Sequence, residues 1–202
     1  MADFNIASFR AALGTGSKPN LFKVTVTPPA GIPALTNFEF QCRSGALPSS
    51  TMGTIEIPMN AGRRLKMGGD RTFTEWTSTV LNDEGYVIRT IMEQWQNALV
   101  KTNFDIASIG NRSASVTAGL YGTVNIYQLK EDGSSVPNGS YKLVNCWPSD
   151  ISAIDLSYDT TDAVEDFTVT WTYDFFENNF KGESGIAALT ATPATTTTTT
   201  PG

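Results

Sequence analysis

The strict alternation of residue types from Phe167 to Phe175 constrains the fold of this chain more than any other sequence feature. One set of alternating positions is aromatic or aliphatic: Phe167, Val169, Trp171, Tyr173 and Phe175. The positions between them are polar: Thr168, Thr170, Thr172 and Asp174. A period of two with these residue types is typical of a β-strand that has one buried face and one solvated face.

Weaker alternation recurs along the chain and predicts an all-β fold. It occurs in residues 21–27, 37–42, 54–57, 71–81, 122–129, 141–146 and 152–158. Gly, Pro, Asn and Asp separate these segments, as turns between strands require. Many short strands with frequent turns favour a β-sandwich or a β-barrel.

One segment, from about residue 83 to 101, has the period of a helix instead. Its apolar residues form a single stripe: Ile88, Ile91, Met92, Trp95 and Leu99. This spacing predicts an amphipathic helix that flanks the β-structure. Asn82 or Asp83 is suited to cap its start, and Lys101 is suited to its negative C-terminal end.

The 202 residues are enough for one domain, which we place at residues 1–177. Residues 102–119 are rich in Ser, Asn, Ala and Gly and are predicted to form a long loop. Residues 178–202 are small and polar and end in a run of threonines. Such a composition cannot supply a core, so we predict a C-terminal extension there.

Composition argues against several classes of function. The chain has no histidine, which excludes His-based catalytic triads and imidazole metal ligands. Its two cysteines, Cys42 and Cys146, lack metal-ligand spacing and are predicted to be buried free thiols. No segment is apolar enough to span a membrane, and residues 1–6 do not resemble a secretory signal. We therefore predict a protein that is not an enzyme, has no metal, cofactor or catalytic residue, and is not inserted in a membrane.

Charge is distributed unevenly. The formal charge is −6, which argues against general nucleic-acid binding. From Leu143 to Phe180 there are eight acidic residues and no Lys or Arg. A hairpin-like segment, residues 57–71, contains the charged residues Arg63, Arg64, Lys66, Asp70 and Arg71. Its mixture of basic and apolar residues predicts docking onto an acidic surface, within the chain or on another copy.

Several motifs resemble the tail tube proteins of contractile-tailed bacteriophages (myoviruses). The most specific is the stretch Gly68-Gly-Asp-Arg-Thr-Phe73-x-x-Trp76 followed by Leu81-Asn-Asp-Glu84 and Arg89. Weaker matches are Asn20-Leu-Phe22, Trp95, Tyr127-Gln-Leu129-x-x-Asp132-Gly133, Pro148, Ile154-x-Leu156, Glu165-x-Phe167-x-Val169 and Tyr173. The resemblance extends over about residues 9–177.

The resemblance implies a structural virion protein with a β-sandwich fold and one flanking helix. Six copies would form a ring with a large central β-barrel, and rings would stack head to tail into the inner tail tube. The implied partners are the tail sheath protein and the baseplate and tail terminator proteins. The tube would be assembled in the host cytoplasm and would let genomic DNA pass without binding it tightly.

Two surfaces are candidate sites within such a tube. The polar face of Thr168, Thr170, Thr172 and Asp174 is a candidate for the lumen wall, because a wide barrel has a polar interior. Residues Arg63, Arg64, Lys66, Asp70 and Arg71 are candidates for contacts between subunits or rings. Neither candidate follows from the resemblance alone.

Two alternatives remain open at this point. The same fold and ring would serve the inner tube of another contractile injection system, either bacteriocin-like or a type VI secretion apparatus. A monomeric carbohydrate-binding β-sandwich is the alternative from a different class, although Trp171 and Tyr173 lie on the predicted buried face.

Overall fold

The computed structural model describes residues 5–14, 16–100, 119–159 and 163–178. Within these residues there are three α-helices: α1 (Ile6–Leu13), α2 (Phe38–Gln41) and α3 (Val87–Leu99). The strands are β1 (Phe22–Thr27), β2 (Cys42–Gly45), β3 (Ser50–Pro58), β4 (Arg64–Phe73), β5 (Trp76–Leu81), β6 (Gly122–Leu129), β7 (Ser135–Ile151), β8 (Asp166–Thr172) and β9 (Phe175–Asn178). The predicted loop at 102–119 and the extension at 178–202 lie almost wholly outside the described residues.

The strands form one antiparallel sheet of seven strands and a separate two-stranded hairpin. The large sheet has the order β1-β6-β7-β8-β5-β2, with β9 added to β7. Residues 135–146 of β7 pair with β6, and residues 147–151 pair with β8. We call β1, β6, β9 and residues 135–146 half A, and β2, β5, β8 and residues 147–151 half B. β3 and β4 pair only with each other.

Both halves contribute to a single hydrophobic core. Val24 and Val124 come from half A, and Val80 and Trp171 come from half B. Trp171 is fully buried, and its ring contacts the ring of Phe38 at a centroid distance of 6.2 Å. Because residues of both halves meet in one cluster, the bent sheet encloses its core as a sandwich does.

Helix α3 lies against this core through its apolar stripe. Ile88, Ile91, Met92 and Trp95 are buried, as the sequence predicted. The Trp95 ring lies 5.9 Å from the Trp171 ring, and a Cβ atom at Gly122 would lie 2.5 Å from the Trp95 ring. Only glycine therefore allows β6 to approach the helix this closely.

The helix is shorter at its start than the sequence predicted. It begins at Val87 rather than near residue 83, because Tyr86 has a left-handed conformation with φ of 51°. The Asp83 carboxylate still accepts a hydrogen bond from the Val87 N–H at 3.1 Å. Asp83 thus satisfies the first N–H of the helix from within a turn at residues 83–86, although the N-cap residue is Tyr86 rather than Asn82 or Asp83.

Other sequence predictions about local structure were wrong. Residues 38–41 form a turn of helix rather than a strand, because Phe38 enters the core while Phe40 is 78% exposed. Residues 152–157 are not a strand. The strand predicted for residues 167–175 ends at Thr172, and Phe175 begins β9, which pairs with β7. Helix α1 was not predicted; Asn5 caps it, and none of its residues is buried.

No helix among the described residues is long and apolar enough to cross a membrane. The two cysteines are free and buried, as predicted. Burial raises the pKa of the Cys42 thiol to about 11 and raises that of Cys146 further. Both thiols therefore behave as small apolar core residues.

Candidate assembly surfaces

The β3–β4 hairpin is almost entirely exposed. Every residue of β3 is exposed. The hairpin is attached to half B by hydrogen bonds near its root: the Trp76 indole donates to the Ala46 carbonyl, and the Tyr173 hydroxyl donates to the Thr74 carbonyl at 2.7 Å. These contacts fix where the hairpin leaves the sheet.

Arg71 strengthens the same root. Its guanidinium lies over the Phe73 and Phe176 rings, 5.2 and 5.3 Å from their centroids. It also donates to the Ser50 hydroxyl at 2.9 and 3.0 Å. Arg71, one of the predicted contact residues, therefore holds β4 against β3 and β9 in the monomer.

A β-bulge divides the hairpin into a root and a distal part. The register changes between Met52 and Thr54, where β4 contains the extra residue. At Gly69 a Cβ atom would lie 3.1 Å from the Gly53 carbonyl carbon, so a side chain would force the strands apart. Asp70 is exposed at this bulge. We call residues 54–68, beyond the bulge, the distal hairpin.

The polar face of the distal hairpin contains most of the predicted basic site. Arg64 and Lys66 lie 2.8 and 3.6 Å from the carboxylate of Glu56. Arg63 follows the 3-10 turn at Asn60–Gly62 and has no ion-pair partner among the described residues. The distal hairpin thus contains three bases and one acid, so its charge is +2.

The opposite face of the distal hairpin is apolar. Ile55 pairs with Met67 and Ile57 with Leu65, so these four side chains share one face. They are 43–54% exposed, and Met59 at the turn is 57% exposed. An isolated two-stranded hairpin is marginally stable, so this face is suited to being covered by a partner. The sequence signal was the alternation of Ile55, Glu56 and Ile57 opposite Leu65, Lys66 and Met67.

The predicted threonine face is formed, and it is larger than the sequence suggested. Thr168, Thr170 and Thr172 lie on the solvated side of β8 and are half-buried. The register places Thr77 opposite Thr170 and Thr79 opposite Thr168. We call these five residues of half B the threonine face. Thr77 and Thr79 were missed because only strand pairing brings them there.

Asp174 is not a regular continuation of that face. It lies in the bend between β8 and β9, where it is exposed and accepts a hydrogen bond from the Asn145 amide at 2.7 Å. The strand ends before Asp174 because β9 shifts its pairing to half A.

The two halves differ in the charges on their solvated faces. Arg43 is the one base in the strands of half B, and it is paired with Asp166 at 2.6 Å. The solvated face of half A includes Lys23 and Lys142, which pair with Glu39 at 2.5 Å and Glu177 at 3.3 Å. Half B therefore offers the less basic surface.

The described residues contain no group of three or more side chains suited to hold a metal ion. The titratable groups in both surfaces are exposed carboxylates and bases, which are suited to contacts between proteins.

The fold is shared with chains from structures of contractile injection systems. A chain from the cryo-EM structure of an extracellular contractile injection system (PVC) sheath–tube complex in the extended state matches with a TM-score of 0.56 and 15% identity. That match covers 87% of this chain and 99% of the other. A chain from the anti-feeding prophage tube-terminating cap also has a TM-score of 0.56, with 18% identity over 80% of this chain and 91% of the other.

The chain belongs to the phage tail tube protein family, whose model matches residues 17–179. The tail tube proteins gp19 of Enterobacteria phages T4 and T6 are each 28% identical to it over 164 residues, which are 81% of this chain and 93% of theirs. The resemblance seen in the sequence is confirmed. The protein is a structural component of the phage tail tube.

Proposed function

We propose that six copies of this chain close into a ring and that the rings stack head to tail into the inner tube of a contractile tail. The exposed apolar face of the distal hairpin supports this proposal most directly, because a monomer gains nothing from leaving it in water. Repeated copies of one interface bury such a face everywhere except at the ends of the tube. The identity to the T4 and T6 proteins favours a phage tail over another injection system.

Sheet edges support closure into a ring as well. In the monomer the large sheet ends at β1 and β2. Open edges are removed when sheets join around a closed barrel, which is the geometry expected for a ring with a central β-barrel.

The threonine face is our candidate for the lumen wall. Duplex DNA carries roughly one negative charge per 1.7 Å, and binding to it depends on bases that release its counterions. The threonine face contains no Lys or Arg, and the nearby Arg43 is paired with Asp166. Genomic DNA would then pass without being held. Asp174, at the bend beyond β8, would add negative charge.

The basic residues of the hairpin are proposed to contact the neighbouring ring. Arg63, Arg64 and Lys66 lie on the distal hairpin, and Asp70 and Arg71 lie nearer its root. Each exposed pair would stabilise the contact by only about 0–1 kcal/mol, so the apolar face must supply most of the affinity.

The remaining partners follow from this role. The outside of the tube would contact the tail sheath protein, and its ends would contact the baseplate and tail terminator proteins. The tube would form in the host cytoplasm and remain in the virion tail. No reaction and no cofactor is part of this function.

Electron microscopy of the purified protein tests the proposal. We expect negatively stained rings with six-fold symmetry, or hollow filaments, together with a size-exclusion peak well above the monomer. A protein that stays monomeric at high concentration would contradict the proposed self-assembly.

A further inference from the structure

A cavity of about 700 Å³ opens at the end of half B, where β7 ends and β8 begins. Its walls are formed by residues 152–158 and 163–168, and we call it the acidic pocket. This volume falls within the range of roughly 300–1,000 Å³ that is usual for pockets that bind ligands. The family assignment does not account for this cavity, although Ile154, Leu156, Glu165 and Phe167 on its walls belong to the motifs named above.

The pocket combines apolar and acidic groups. Leu156, Tyr158 and Val164 on its walls are 78%, 104% and 69% exposed, which is more than the apolar side chains of the distal hairpin. Asp155 is exposed beside them. No Lys or Arg occurs from Leu143 to Phe180, so the wall segments bring no base of their own. Arg89 of α3 lies beside the pocket, where it donates to the Ser152 carbonyl at 3.1 Å, and its charge is paired with Glu93.

Glu165 keeps its negative charge in this pocket. Its carboxylate accepts hydrogen bonds from the Asn82 amide at 3.1 Å and from the Tyr86 hydroxyl at 2.8 Å. These two donors lower its pKa. Asp166 is paired with Arg43, so Asp155 and Glu165 are the wall carboxylates that lack a basic partner among the described residues.

The distal hairpin and the acidic pocket lie at opposite ends of half B. The hairpin joins β5 at Trp76, which pairs with Trp171 near the end of β8. The pocket lies at the other end, where Leu81 pairs with Asp166. Seven residues of β8 separate the two ends by about 20 Å, at roughly 3.3 Å per residue.

We propose that the acidic pocket is the receptor for the distal hairpin of a second copy of this chain in the adjacent ring. The hairpin supplies Arg63 and the exposed side chains of Met59 and Leu65, and the pocket supplies acidic groups and exposed apolar side chains. Opposite charges and apolar areas match across this contact. Two complementary surfaces at opposite ends of one chain make a head-to-tail contact, which repeats without limit along a stack.

This inference rests on the proposed tube and adds the receptor surface. Cysteine cross-linking tests it in assembled tubes, with Met59→Cys on the hairpin and Tyr158→Cys in the pocket. The native thiols do not interfere, because Cys42 is 7% exposed and Cys146 is fully buried. A short bis-maleimide should join subunits of successive rings. A denaturing gel should then show a ladder of covalent multimers that extends beyond six subunits.

Matched controls make the result specific. Met59→Cys combined with Glu131→Cys places the second thiol at the exposed β6–β7 turn, away from the pocket, and should give no ladder. Tubes that form normally but show no ladder beyond this control would overturn the receptor assignment while leaving the proposed tube intact. If the unmodified protein forms no tubes, the proposed function itself fails.

A charge exchange gives an independent measurement. Arg63→Asp or Asp155→Arg alone should raise the critical concentration for assembly by about fivefold to thirtyfold, because a repulsion then replaces an attraction of up to about 1 kcal/mol. The two substitutions in one chain should restore it to within about threefold of the unmodified protein. Additive losses in the double variant would contradict direct contact between these residues.

Discussion

Removing the apolar face of the distal hairpin should weaken assembly without unfolding the subunit. Full burial of a Leu or Ile side chain stabilises by about 1.5–3 kcal/mol. Ile57 and Leu65 are 43% and 48% exposed in the monomer, so roughly half of that, about 0.7–1.5 kcal/mol each, remains to be gained on assembly. Ile57→Ser with Leu65→Ser should therefore raise the critical concentration about tenfold to a hundredfold.

Sedimentation across a range of protein concentrations measures this change. Met52→Ser is the matched control. Met52 is 63% exposed, but it lies on the other face of the same hairpin, where it pairs with Arg71 across the strands. Thermal unfolding of the monomer should change little in either variant, because neither site lies in the core. An unchanged critical concentration for the double variant, or an equal change for the control, would refute the assignment of the apolar face.

Three further predictions concern the core, the acidic pocket and the lumen. Ser78→Ala should destabilise the monomer by about 1–3 kcal/mol, because it removes the buried hydroxyl that accepts a hydrogen bond from the Trp171 indole N–H at 3.0 Å. In a Trp171→Phe background Ser78→Ala should cost no stability, and thermal unfolding measures both changes. Because the pKa of Glu165 is lowered in the folded state, its contribution to stability is present above the ordinary carboxyl pKa and is lost as pH falls through the lowered value. Glu165→Gln should remove that part of the acid sensitivity in melting temperatures measured against pH. Thr170→Lys should make assembled tubes retain duplex DNA at low salt in a co-sedimentation assay, whereas Thr25→Lys on half A should not; equal retention would place the lumen elsewhere.

Much of the fold could be predicted from the sequence because strong periodicity reports burial directly. The buried positions of β8 and the stripe of α3 follow from patterns of two and of three to four residues. The same reasoning wrongly predicted a strand at residues 37–42. The helical turn there buries Phe38 and exposes Phe40, which resembles the alternation of a strand. The N-terminal helix was missed because it buries nothing, and its pattern is too short to be distinctive.

The candidate surfaces were predicted less completely, because the pattern of a single segment does not show which residues pair with it across strands. Arg71 was grouped with Arg63 and Arg64 by sequence proximity. The bulge near Gly69 separates them, and the Phe176 ring that Arg71 contacts comes from a strand more than 100 residues later. The acidic pocket was visible only as a stretch without bases, since the alternation in residues 152–158 predicted a strand there instead.

In the proposed tube, the arrangement of half B would let the chain bind its own copies firmly without binding the DNA that passes it. Its apolar and charged docking groups lie at the two ends of the strands, in the distal hairpin and the acidic pocket. Its long solvated side between those ends has only threonines on β5 and β8, together with a paired Arg43. In the proposed stack, end-to-end contacts would run along the strand direction and would cover the surfaces that bind other copies. The face that remains exposed along the stack is the one least able to release counterions from DNA. The groups proposed to bind other copies thus lie at the ends of the strands, and the surface proposed to face DNA lies between them. A base introduced on the threonine face would make that surface bind DNA as well.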